Sequence, residues 1–148
     1  SEPKVGRVSY FKVYSGKVKT GDELINNHNR NSERLNQIYV SNGKNREAVP
    51  ELVAGDLGVV VKLRDSHTNN TLSSKGNDVE VETIPFPEPR IRVALNTENK
   101  NDLEKIIKAV HELQEEDPTL VLEQSQRLKQ NILHGQGQLH LDLLKYRI

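Results

Sequence analysis

The sequence predicts a chain of two parts, a β-barrel followed by an α+β sandwich, and three observations carry that division. Short runs of alternating apolar and polar residues, separated by glycine turns, recur from Val5 to about Leu72. Three prolines then fall between Pro85 and Pro89, which favours an extended, semi-rigid connection. Only beyond them does a clear helical periodicity occur.

In sequence order, VGRVSYFKVYS reads as the first strand, with turns at Ser15-Gly16 and Thr20-Gly21-Asp22. ELINN and SERLNQIYVS read as two further strands joined by the asparagine-rich NHNRN. Asn42-Gly43 marks another turn, and AGDLGVVVKL opens as a turn and becomes a buried strand. Short strands at this regular spacing suggest a closed barrel. After the prolines, RIRVALN alternates as a strand. Leu103, Ile106, Ile107, Val110 and Leu113 then form one apolar helix stripe. Asn101 with Glu104 resembles a capping box, and Asp117-Pro118 stops the helix. TLVLEQS and RLKQNILH read as two more strands. In the closing segment, LHLDLLKYRI, Leu139, Leu141 and Leu143 alternate like a strand, while Leu139, Leu143, Leu144 and Ile148 share part of a helix face; the Gly135-Gln136-Gly137 break favours the helix. Strand, helix, strand, strand and closing segment make an α+β sandwich.

Composition narrows the chemistry. The chain has 148 residues, 34% hydrophobic and 4% aromatic, so its core must rest on Val, Leu and Ile. With 21 basic and 21 acidic side chains its formal charge is zero, and bulk charge gives no long-range pull toward nucleic acid or an anionic membrane. There is no cysteine, hence neither a disulfide nor a thiolate metal site. No apolar run approaches a membrane span, and no signal peptide is visible.

The candidate site motifs mostly read as structure. Gly135-Gln136-Gly137 has neither a third glycine nor a Gly-Lys-Ser/Thr ending, so it reads as a tight turn rather than a phosphate cradle. His134, His140 and Asp142 lack the spacing of a metal site. Glu115, Glu116 and Asp117 read as a solvated cluster at a helix end. Asn99-Lys100-Asn101-Asp102 fits the guanine-recognition pattern of P-loop GTPases, but no Walker A loop accompanies it and the residues open a helix. No catalytic, cofactor-binding or metal-binding residues are assigned. Basic residues along Arg7, Lys12, Lys17, Lys19, Arg30, Arg34, Lys44 and Arg46 fit either a phosphate-binding face or solvated strands.

Together the motifs resemble one family. GRVSYFKVYSGKVKTGDEL and AGDLGVV are similar to the second domain of translational GTPases. PFPEPRIRVAL, the helix ending ELQEEDPTL, and HGQGQLHLD are similar to the third domain of elongation factor G, whose usual last motif is GMGELHLE. The resemblance runs end to end and in order. It implies a translation-factor barrel over residues 1–86 and a ferredoxin-like α+β domain over 87–148 that lacks its last strand. On this reading the chain is a middle piece of a longer cytoplasmic protein.

The resemblance also implies a role. The intact factor would be a GTPase using GTP and magnesium, would bind the ribosome, and would promote movement of transfer RNA and messenger RNA. This piece alone would hold no cofactor and hydrolyse no GTP. Asp117, Thr119, Gly135, Leu139 and His140 would border the inter-domain pocket that in bacterial members receives fusidic acid. Gln136 and Gln138 depart from the family's methionine and glutamate. Lys12, Lys17, Lys19, Lys44 and Arg46 would contact small-subunit ribosomal RNA, alongside ribosomal proteins and other domains of the parent. A membrane is not expected as a partner. Unpaired sheet edges would favour self-association. The alternatives are a ribosomal-protection-type or specialised paralogue, and a stand-alone ribosome- or RNA-binding module.

Overall fold

A computed structural model describes residues 6–96, 100–125 and 130–147. The chain divides into two compact units, Ser1–Thr83 and Ile84–Ile148, each with its own core. No helix among the described residues is long and apolar enough to cross a membrane.

The first unit is an all-β barrel of short antiparallel strands. They are β1 (Val8–Lys12), β2 (Lys17–Lys19), β3 (Glu23–Asn26), β4 (Ser32–Arg34), β5 (Ile38–Asn42), β6 (Asn45–Val49), β7 (Glu51–Val53), β8 (Leu57–Val61) and β9 (Leu72–Ser73). They pair in the orders β1-β8-β5-β6, β2-β7 and β4-β3-β9. Val13, Val18, Leu35, Ile38, Leu52 and Val60 fill the interior, with Phe11, Leu24 and Val40 packed around them. At Gly58 the side chains of neighbouring strands crowd β8, since a Cβ there would strike the Phe11 ring and Leu52. Alternation along β8 sends Val59 to the other face, yet it is only 2% exposed. Tyr10 and Tyr39 are its partners on the two adjacent strands.

One expected strand is two. SERLNQIYVS divides into β4 and β5 because the backbone switches partners: β4 pairs with β3, whereas β5 pairs with β6 and β8. At the bend, Leu35 N–H donates to Asp22 O and Leu35 O accepts from Gly21 N–H. Ile38 N–H and the Gln37 amide both donate to Thr20 Oγ1. The bend is a barrel corner, which an unbroken apolar alternation does not reveal.

The first unit also contains a buried carboxylate. Glu33 is 2% exposed and accepts from Arg64 N–H (3.1 Å), Asp65 N–H (2.6 Å) and Ser66 Oγ (2.9 Å). The Arg7 guanidinium donates to Leu63 O and Ser66 O, clamping the same segment. Burial pushes the Glu33 carboxyl up. The three hydrogen bonds and the charge of Arg7 outweigh this and hold it below the ordinary value.

The second unit has a three-stranded antiparallel sheet, β10 (Ile91–Leu95), β12 (Gln130–Gly135) and β11 (Val121–Ser125), in the order β10-β12-β11. Two helices, α1 (Lys100–Glu116) and α2 (Gln138–Arg147), supply much of its core. Val110, Leu113, Leu120, Leu133, Leu141 and Leu144 form that core, with Ile91, Leu95, Ile106 and Leu122 around it. Helix α1 ends at Glu116, ahead of Asp117-Pro118, and its apolar stripe delivers Val110 at 0% exposure.

Two local expectations change, and a third is met over the described residues. Asn101 lies inside α1 rather than before it, and positions 97–99 lie outside the described residues. RLKQNILH is a strand from Gln130, with residues 127–129 outside the described ones. The closing segment is a helix, but Leu141 and Leu144 face the core while Leu139 and Leu143 are exposed. The sheet dictates this choice, because Leu141 must fit over Gly135 at the end of β12.

Candidate functional site

The corner between β12 and α2 meets the turn between α1 and β11, and four of the five expected pocket residues gather there. Helix α1 stops because Pro118 cannot continue it. Asp117 N–H still bonds back to Leu113 O at 2.8 Å, and Asp117 O accepts from Leu120 N–H at 3.1 Å. The Asp117 carboxylate closes the turn: its Oδ1 accepts from Thr119 N–H (3.0 Å) and Thr119 Oγ1 (2.6 Å).

The second carboxylate oxygen faces the other corner. Asp117 Oδ2 lies 2.9 Å from His140 Nε2. The Gln136 N–H donates to His140 Nδ1 at 3.1 Å, which places the ring proton of a neutral imidazole on Nε2. That nitrogen is buried and meets no strictly aligned acceptor, and the Asp117 carboxylate oxygen is the polar group beside it. Burial pushes the Asp117 carboxyl up, but the two bonds from Thr119 and the neighbouring His140 outweigh it and hold the group below its ordinary value.

Gly135 lets the corner close. A Cβ there would lie 2.7 Å from Leu141 Cδ2 and 3.3 Å from His140 Nδ1. Leu139 does not join the group: it is 74% exposed on the far side of α2 from Leu141. The sequence reading missed Gln136 as a structural residue. Its side-chain amide donates to Pro87 O at 2.9 Å and ties the corner to the proline-rich entry segment. Gln138 likewise donates to Asp142 Oδ1 at 2.9 Å, one helical turn on. His134 pairs instead with Glu123 at 2.8 Å across neighbouring strands.

The expected RNA-contacting cations sit on separate barrel elements. Lys12, on β1, holds its Nζ 5.3 Å from the centroid of the Tyr14 ring. Lys17 and Lys19 flank the buried Val18 on β2, and Lys17 pairs with Glu51 at 3.8 Å. Lys44 occupies the tip of the β5–β6 hairpin and Arg46 follows on β6. Arg7 is turned to structural use inside the barrel, and Arg30 pairs with Asp78.

Comparison with known proteins agrees with both units. Residues 6–73 match the family model for elongation factor Tu domain 2, and residues 86–148 match that for elongation factor G, domain III. The class defined is thus an elongation-factor barrel followed by an elongation factor G third domain. The elongation factor G of Jannaschia sp. (strain CCS1) is 36% identical over all 148 residues, which cover 21% of that relative. Elongation factor G 2 of Syntrophomonas wolfei subsp. wolfei is 37% identical, again over the whole chain and 21% of the relative. A crystal structure from Thermus thermophilus superposes with a TM-score of 0.82 at 34% identity, covering 99% of this chain and 22% of that one. The chain belongs to the elongation factor G family, as a two-domain segment of it. It spans 21% of the length of the curated relatives it matches.

Proposed function

We propose that this chain is the barrel and third-domain segment of a cytoplasmic elongation factor that binds the ribosome and promotes movement of transfer RNA and messenger RNA. The observation that carries this reading is the identity of 36–37% to proteins named elongation factor G over all 148 residues. This reading sets the domain boundary at 86/87, just beyond the break between the two compact units at Thr83 and Ile84. GTP and magnesium act in the intact factor, which is the GTPase; no residue of this segment is assigned to hold them.

Two surfaces share the work. The barrel rests on small-subunit ribosomal RNA and ribosomal proteins through Lys12, Lys17, Lys19, Lys44 and Arg46, with phosphate contacts that position it without reading sequence. In the third domain Asp117, Thr119, Gly135, Leu139 and His140 border a pocket shared with another domain of the parent. The Asp117–His140 contact supports this, because it makes one rigid corner from two turns. The segment also self-associates through free sheet edges; among the described strands, β10 pairs with β12 alone.

Hydroxyl-radical probing tests the barrel's role. With a tethered iron probe at position 44 of the intact protein bound to ribosomes, cleavage should fall on small-subunit RNA. Cleavage confined to the large subunit, or none above background, refutes this placement.

A further inference from the structure

The β5–β6 hairpin tip carries a pair of residues with their own chemistry. Gly43 has a φ of +61° and Lys44 does not share it, so Gly43 occupies the first central position of a two-residue turn. Nothing lies within 4 Å of where a Gly43 Cβ would be, and residues 41–45 are all exposed. The closing pair is Asn42 with Asn45, and Ser41 Oγ donates to Gly43 O at 3.0 Å.

Asn42 differs from six other asparagines of the barrel, and of the barrel's asparagines it alone precedes a glycine. The side chains of Asn26, Asn27, Asn29, Asn31, Asn70 and Asn77 are all engaged in hydrogen bonds with other barrel residues. Neither the Asn42 amide nor the Gly43 N–H has a described hydrogen-bond partner. The electrophile and the nucleophile of a cyclisation are thus adjacent, untied and open to water.

We propose that Asn42-Gly43 is a site of spontaneous deamidation and isomerisation in the folded protein. The Gly43 nitrogen, losing its proton to solvent base, attacks Asn42 Cγ; the bond from Cγ to Nδ2 breaks and ammonia leaves. The resulting five-membered imide takes up one water. Opening at the backbone carbonyl of residue 42 gives isoaspartate, with the chain rerouted through Cβ and Cγ, and opening at the Cγ carbonyl gives aspartate. Asn42 must leave its extended conformation for the attack, and an exposed hairpin tip is where such local opening costs least. Glycine makes the approach possible because no Cβ blocks its nitrogen. The product places a carboxylate beside Lys44 and Arg46 and so cancels part of the tip's positive charge. This chemistry stands whether or not the tip meets RNA.

The test is to hold the folded protein at mildly alkaline pH and body temperature, digest it with trypsin, and examine the peptide Leu35–Lys44. The expected result is conversion to two products, each heavier by the exchange of an amino for a hydroxyl group, with the bulk of isoaspartyl methyltransferase labelling in that peptide. Asn42→Gln should abolish both signals; Asn42→Ser repeats the control should the first variant fold poorly. The proposal is overturned if labelling is no greater there than in the other asparagine peptides. It is equally overturned if the peptide stays intact in the folded protein, whether or not the excised peptide converts.

Discussion

Asp117 and His140 join two turns of the third-domain fold: Oδ1 of the carboxylate is held by Thr119, while Oδ2 lies 2.9 Å from the buried Nε2 of His140. Replacing Asp117 by Ala removes the acceptor for two donors and leaves the imidazole facing no charge. A loss of about 1–3 kcal/mol is expected, the cost typical of an orphaned polar group. Asp117→Asn keeps the oxygen for Thr119 and should lose less. Urea unfolding followed by amide exchange at Gln136, Thr119 and Leu120 measures both.

Glu33 sets the acid limit of the barrel. Its folded carboxyl lies below the ordinary 4.5, so the stability it gives is fully present above that value and is lost as pH falls through the lower folded one. Glu33→Gln puts an NH2 group against donors that need an acceptor, costing about 1–3 kcal/mol per orphaned group. The barrel of the variant should unfold more easily at neutral pH, and its stability should lose most of the wild-type acid dependence. An unchanged pH profile in circular dichroism melts contradicts this role.

These two acids show how far the sequence could be read. Helix α1 was legible because its apolar stripe obeys one period, and the Asp117-Pro118 stop is a local signal. The two-unit order was legible from the change of period at the prolines. Glu33 was not: alternation along β4 places it on an inward face, but hydropathy assigns a glutamate to solvent. What keeps it inside is the N–H groups of Arg64 and Asp65 and the hydroxyl of Ser66, far along the sequence. In the sequence Gln136 reads only as a departure from the family's methionine, because its partner, Pro87 O, is a backbone atom without a sequence signature. Leu139, which the resemblance puts at the pocket, is exposed on the outer face of α2, since Leu141 and Leu144 take the inner one.

Gly135→Ala should disturb the candidate pocket directly. The new Cβ would lie 2.7 Å from Leu141 Cδ2, with the His140 ring at 3.3 Å, so the start of α2 must shift. Overpacking of this kind costs roughly 1–3 kcal/mol. The chemical shifts of the His140 ring and the Gln136 amide should move together, while those of the barrel stay in place. A variant with unchanged His140 resonances would show that the corner has slack.

Lys44→Ala should weaken binding to ribosomal RNA without altering sequence preference. Loss of one phosphate contact lowers the slope of log affinity against log salt by about 1. Lys17→Ala should do less, because Lys17 already pairs with Glu51. Fluorescence titrations of the intact protein with ribosomes over a range of salt would separate the two, and equal slopes for Lys44→Ala and wild type would remove Lys44 from the interface.

The most direct measurement is toeprinting of ribosomes carrying a peptidyl-transfer RNA mimic, with the intact protein purified from its source cells. Advance of the toeprint by one codon on addition of the protein and GTP is the expected result. A toeprint that stays in place, with ribosomes that a known translocation factor does advance, would contradict a role in translocation.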